Sequence, residues 1–187
     1  DYASKNYPNS KADMFAMFME TRYIKPNGFT AMINMHSWMF LQSFSKLRES
    51  LLHTDTIQNM IHLGARAFSE IAGEVVQTTS FVIRNAFLKN HNAKFHRLLS
   101  ATSEKEKELL FLSGKAEYLY SQTDFDKIPG LPIAYWASEY VTDIFQNNKK
   151  VDDISQVKIG MGTGKNDNFV REWWKINNHS IDYSLKS

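Results

Sequence analysis

The sequence predicts an α/β fold, and three features carry that reading. Val75 to Arg84 (VVQTTSFVIR) is dense in β-branched residues and reads as a strand. Phe29 to Met35 and Ile57 to Leu63 are short apolar runs next to Gly28 and Gly64, which suits two more strands. Between these two runs, Phe44, Leu47 and Leu51 recur at helical spacing, so helix and strand alternate along the chain.

The elements follow in order. Asp1 to Pro8 is polar and aromatic and reads as loop. Ser10-Lys11-Ala12-Asp13 is a capping-box pattern ahead of Met14, Phe15, Met17, Phe18 and Met19. That run is apolar nearly all round, which predicts a heavily buried helix. The helix stops near Tyr23, because Lys25-Pro26-Asn27-Gly28 signals a turn. Phe29 to Met35 then reads as a buried strand and Ser43 to Leu52 as a helix. The gap between Ile57–Leu63 and Val75–Arg84 is short and contains Gly73. It predicts a direct antiparallel return rather than a helical crossover, which needs a longer connection.

Phe87 to Leu99 reads as a hairpin turning at His91-Asn92. Ser103-Glu104-Lys105-Glu106 opens a capped helix that runs to Leu112, with its alternating charges on a solvated face. Ser121 to Pro132 is polar, is punctuated by Pro129-Gly130, and reads as a linker. Ile133 to Gln146 reads as a helix with Trp136, Tyr140 and Ile144 on one face. A polar break follows over Asn147 to Asp153. Val157 to Trp174 then holds a glycine-rich loop between two strands.

Composition narrows the function classes. The chain has 187 residues, 43% of them hydrophobic and 22% charged, which is a globular composition. Lys plus Arg number 22 against 20 Asp plus Glu, so a histone-like polycation is excluded while a local basic patch is not. There is no cysteine, which excludes disulfide scaffolds, thiol nucleophiles and cysteine metal sites and suits a cytoplasmic protein. His91 and His96 stand five apart and share neither a helix face nor a strand face, so no metal is expected. No run of apolar residues is long enough to span a membrane. The chain begins with Asp1 rather than Met, which reads as a piece of a longer protein.

Two motifs invite a chemical reading. In Gly160-Met161-Gly162-Thr163-Gly164-Lys165, counting back from Gly164 puts Ile159 where a phosphate loop needs its first Gly. Asn166 takes the place of the Mg²⁺-binding Ser or Thr, so both checks fail. A tight turn remains one reading. A DNA-contact loop is the other: Lys165 suits a phosphate, Asn166 and Asn168 suit phosphate or base edges, and Arg171 interleaves with Trp173 and Trp174. The second motif lies just past the first strand. Functional loops of open α/β sheets gather at the carboxyl ends of strands, which makes Asn34, His36, Ser37 and Trp38 candidate pocket-edge residues.

Several longer stretches resemble a known family. They are Tyr7 to Glu20, Ile24 to Phe29, Arg66 to Phe68 with Gly73 to Thr79, and Ser121 to Phe125 with Ile128 to Trp136. Together they resemble the adenine-specific DNA methyltransferases of BREX phage-defence systems, the PglX type, which are related to fused restriction–methylation enzymes. The resemblance runs from about Tyr7 to Trp174. It implies a Rossmann-like, S-adenosylmethionine-dependent fold, with Phe29–Met35, Ile57–Leu63 and Val75–Arg84 as strands five to seven and the last antiparallel. By that reading 1–125 is the second half of the catalytic domain and 126–150 a linker helix. Residues 151–187 then begin a target-recognition domain.

The resemblance also implies what this chain leaves to the rest of its parent. The family grips adenine with Asn-Pro-Pro-Tyr, whereas Pro8, Pro26, Pro129 and Pro132 are never adjacent. Its glycine-rich cofactor loop has no counterpart either, so no catalytic or cofactor-binding residue is carried over. The implied partners are double-stranded DNA, the remaining parent polypeptide and other defence-system proteins. The first expectation is thus a segment of a DNA adenine methyltransferase, inactive alone. Its rivals are a stand-alone DNA-binding module descended from such an enzyme and an unrelated nucleotide-binding protein using Gly160 to Lys165.

Overall fold

A computed structural model describes residues 2–21, 24–70, 76–156, 170–177 and 179. They fall into two compact units, Asp1–Asn148 and Lys149–Ser187. The larger unit is built on a five-stranded sheet with the order β1-β3-β2-β4-β5. Its strands are β1 (Phe29–Met35), β2 (Thr56–Gly64), β3 (Thr78–Arg84), β4 (Asn92–Arg97) and β5 (Glu117–Ser121).

β3 lies antiparallel between β1 and β2, with Met32 opposite Phe81 and Met60 opposite Phe81 on the other side. The direct antiparallel return is therefore present. β4 joins β2 in parallel and β5 joins β4 antiparallel. This contradicts the hairpin expected over Phe87–Leu99. His91-Asn92 is instead the entry to one strand, which takes its two neighbours from distant parts of the chain. β5 was missed because Glu117-Tyr118-Leu119-Tyr120-Ser121 is too short to show a period.

The helices are α1 (Tyr2–Asn6), α2 (Met14–Glu20), α3 (Ser45–Thr54), α4 (Glu104–Leu112) and α5 (Glu139–Asn147). α1 replaces the loop expected at the N-terminus. α2 begins at the expected place, but Asp13 makes no side-chain cap. The Ser10 hydroxyl instead donates to the Glu20 carboxylate, at the other end of α2. α2 buries Ala16 and Met19 while Met14 and Phe18 stay exposed, so the apolar girdle is only half covered. α4 is capped as the sequence indicates. Ser103 Oγ accepts from the Glu106 N–H, and Glu106 reaches back to the Thr102 N–H.

The core lies on one face of the sheet. Trp38, Met39, Phe44, Leu47 and Leu51 pack on Ile57, Met60, Phe81, Ile83 and Phe95. β1 contributes Met32 to that face and leaves Phe29, Ile33 and Met35 exposed on the other. The expected fully buried strand is thus covered on one side. The expected linker is also corrected. A 3-10 turn at Gln122–Lys127 buries Phe125, and Ile133 and Tyr135 continue the core. The Gln122 side chain accepts from the Ile57 N–H and donates to the carbonyls of Leu52 and Asp55. Prolines and polar residues mark an irregular backbone here, which side-chain hydrogen bonds hold in the interior. α5 starts at Glu139, so Trp136 precedes it.

In the smaller unit, a short helix α6 covers Val151–Ile154, overlapping the end of the expected polar break. Trp173–Lys175 forms a 3-10 turn rather than the expected strand. The glycine-rich stretch 160–164 lies outside the described residues.

Candidate functional site

β1 delivers the chain to the site. At its carboxyl end the His36 N–H donates to the Gln77 carbonyl at 2.9 Å. A 3-10 turn over His36–Met39 follows, whose Ser37 carbonyl accepts from Phe40 and Leu41. This tight turn sends successive side chains in different directions. His36 stays part-exposed while Trp38 enters the core, fully buried and edge-on to Phe81. Asn34 is half-buried beside them, and neither its amide nitrogen nor its oxygen is hydrogen-bonded. Of the residues named from sequence, the structure thus places His36 at the rim and Trp38 inside.

What His36 meets comes from elsewhere in the chain. His36 Nδ1 lies 2.8 Å from His62 Nε2, and His62 Nδ1 lies 3.2 Å from the Tyr135 hydroxyl. His62 belongs to β2, so the carboxyl ends of β1 and β2, on either side of β3, and the 135–136 segment supply the three groups. Phe40 and Trp136 wall them in. The Phe40 ring is 5.6 Å from Trp136, and Trp136 meets Tyr135 edge-on at 4.9 Å. The Arg97 guanidinium sits 5.3 Å from the centre of the Trp136 ring, a cation–π contact.

The cluster resists charging, because its imidazoles decline an added proton and its phenol keeps its own. Burial pushes His62 down to about 3, and His36, Arg97 and Lys107 add to this by charge repulsion. Burial also lowers His36 and raises the Tyr135 hydroxyl above its usual value. All three groups are therefore neutral around pH 7. The hydrogen-bonded row His36–His62–Tyr135 can run with either polarity, each ring nitrogen acting as donor or acceptor by tautomer. This makes a neutral wall of inclined rings, His36 at 60° to His62 and His62 at 71° to Tyr135, in which only His36 reaches the surface. It suits contact with an uncharged aromatic group rather than with phosphate.

Two buried cations stiffen the surroundings. The Arg48 guanidinium donates to the carbonyls of Trp38, Leu41 and Gly130 at 2.6 to 3.0 Å, tying the turn after β1 to the 130 loop. Lys107 Nζ donates to the carbonyls of Leu63, Leu98 and Ala101, closing the end of β2. His62, Tyr135, Trp136 and Arg97 escaped the sequence reading. Their one signal was that His62 lies near the end of an apolar strand and His36 just past one.

Among the described residues, no group of three or more His, Asp or Glu could hold a metal. The described glycines do not form a strand-to-helix turn able to cradle a nucleotide cofactor. Gly28 precedes β1, Gly64 ends β2 ahead of β3, and Gly114 and Gly130 sit in turns. Among the described residues, no such turn is offered to S-adenosylmethionine. Lys165, Asn166 and Asn168 lie outside the described residues. Arg171 is exposed, with its guanidinium on the Val170 carbonyl.

The family model "Eco57I restriction-modification methylase" matches residues 1–68. The adenine-specific methyltransferase PglX of Lacticaseibacillus casei (strain Zhang) is 43% identical over 97% of this chain. BrxX of Escherichia coli O9:H4 (strain HS), also an adenine-specific methyltransferase, is 42% identical over 97%. The chain is a homologue of one segment of these adenine-specific methyltransferases. It spans 16% of the length of PglX and 15% of that of BrxX.

A type I restriction-modification methyltransferase subunit from Streptococcus thermophilus shares the fold. Its TM-score is 0.51 at 16% identity, over 72% of this chain and 34% of the other. That likeness agrees with the second half of a methyltransferase sheet. Among the described residues, no helix is long and apolar enough to cross a membrane.

Proposed function

We propose that this chain is a working segment of a site-specific DNA adenine methyltransferase of a phage-defence or restriction-modification system. The whole enzyme transfers a methyl group from S-adenosylmethionine to the adenine amino nitrogen. The observation that carries the reading is 43% identity with PglX, sustained along 97% of the chain. The antiparallel β3 between β1 and β2 supports it.

On this reading the segment does structural and positioning work. Bases that undergo chemistry leave the duplex stack and are gripped by aromatic and polar groups. The row His36–His62–Tyr135 lies at the carboxyl ends of β1 and β2, where such a pocket belongs. Asn34, His36 and Ser37 form part of its edge, and Trp38 anchors that edge to the core. The cofactor supplies the methyl group and is held by residues outside the segment. Residues 151–187 open the target-recognition region, with Lys165, Asn166, Asn168 and Arg171 meeting DNA. DNA and the rest of the parent polypeptide are the partners, and the cytoplasm is the compartment.

Calorimetric titration tests the division of labour. S-adenosylmethionine should give no saturable heat with the 187-residue chain and saturable heat with the parent polypeptide. Micromolar binding by the chain alone would overturn the assignment of the cofactor site to other residues.

A further inference from the structure

A cavity of about 420 Å³ opens beside β5, with Asn92 at the start of β4 also in its lining. That volume is within the range of small-ligand sites. One wall is the strand itself, Tyr118 to Ser121, and the opposite wall is Trp136 to Glu139 with Thr142. The strand wall, Tyr118 to Ser121, takes no part in the function proposed above. We propose that this cavity is a nucleobase-binding subsite beside the pocket edge at His36, with Tyr135 and Trp136 as the wall between them.

Backbone alternation supplies the first argument. The Arg97 N–H donates to the Ala116 carbonyl, which fixes the phase of the β4–β5 ladder. Bonded and non-bonded pairs alternate along an antiparallel ladder. With Phe95 opposite Tyr118 and Ala93 opposite Tyr120, those tyrosines turn their peptide groups toward β4. Leu119 and Ser121 turn theirs outward, to the cavity. An alternating row of N–H and C=O matches the donor and acceptor edge of a base.

Aromatic surface supplies the second. Tyr118 and Trp136 both line the cavity and are 37% and 36% exposed, although each is braced edge-on by the buried Tyr135. Rings that are held firmly yet part-open are suited to stacking on a planar ligand. Charge supplies the third. The lining holds Asp124 and Glu139 against Lys127, and Lys127 is paired with Asp124 at 3.0 Å. A phosphate group finds no unpaired cation in this lining, whereas a neutral heterocycle meets no charge penalty. The choice of a nucleobase among neutral heterocycles rests on the DNA reading above.

Ligand-observed NMR on the 187-residue chain tests this with adenosine, ribose 5-phosphate and a blocked Val-Thr-Val peptide as probes. Adenosine should bind saturably and ribose 5-phosphate should not. Tyr118→Ala should weaken adenosine about tenfold by removing a stacking face. Ser121→Pro should weaken it severalfold by deleting an outward N–H, because Ser121 has φ −78°, which proline shares. Both variants should keep the parent circular-dichroism spectrum.

Peptide binding without adenosine binding would overturn the proposal and make β5 a strand-addition edge. Adenosine binding unmoved by both folded variants would overturn it as well, as would no binding at all. If adenosine binds as expected while the parent polypeptide methylates no adenine, this site stands and the methyltransferase reading falls. The converse removes the site alone.

Discussion

Arg48 carries its guanidinium into the core, where three backbone carbonyls receive it. Burial pulls it down to about 10, still well above neutral pH, so the charge is retained. Arg48→Met should leave those carbonyls without donors and cost about 3 kcal/mol or more. Arg48→Lys should recover only part, because an ammonium cannot span the planar fork. Urea unfolding of the two variants measures both. His62 gives a second expectation. It gains a proton only near pH 3 when folded but near about 6.5 when unfolded. In that window the unfolded chain binds the extra proton, so stability falls as pH falls. His36 is shifted the same way and adds to the slope. The urea midpoint should drop between about pH 7 and pH 5, and His62→Gln should flatten that drop.

At the scale of elements, sequence reading succeeded where local pattern and tertiary demand agree. β1, β2 and β3 are apolar, β-branched and bounded by turns, and they lie where their composition indicates. α4 carries its own cap, so it needs no tertiary partner to begin. The failures share a cause. β4 and β5 pair only with strands far away in sequence, and the 121–135 segment is held by Gln122 bonding across the fold. No local period records such contacts. Amide exchange should show the same division. β2, β3 and β4 have neighbours on both sides and should exchange slowest, while alternate amides of β1 and β5 should exchange fast. Gly64 is a further test. Its φ is +69°, and a Cβ there would run into the Leu99 side chain. Gly64→Ala should destabilise by about 1–3 kcal/mol in the same urea assay.

At the scale of the whole molecule, the candidate site was half legible. His36 follows an apolar strand, and its position at a strand end made it visible. His62 looked like one more residue of a strand, and Tyr135 and Trp136 sat in a stretch that read as helix. They become a site only when β2 and the 135–136 segment converge. The exposed apolar side chains Phe29, Ile33 and Met35 on β1 and Tyr140, Ile144 and Phe145 on α5 suit a segment with more protein to meet. A segment of this kind is read through its relatives, and 43% identity to an adenine-specific methyltransferase is the firmest link to function.

The direct measurement is mass spectrometry of N6-methyladenine in duplex DNA incubated with S-adenosylmethionine and the polypeptide that carries this segment. The account predicts methyladenine at one recurring sequence with that polypeptide and none with the 187-residue chain alone. Methyl transfer by the chain alone, or DNA left free of methyladenine by the whole polypeptide, would contradict it.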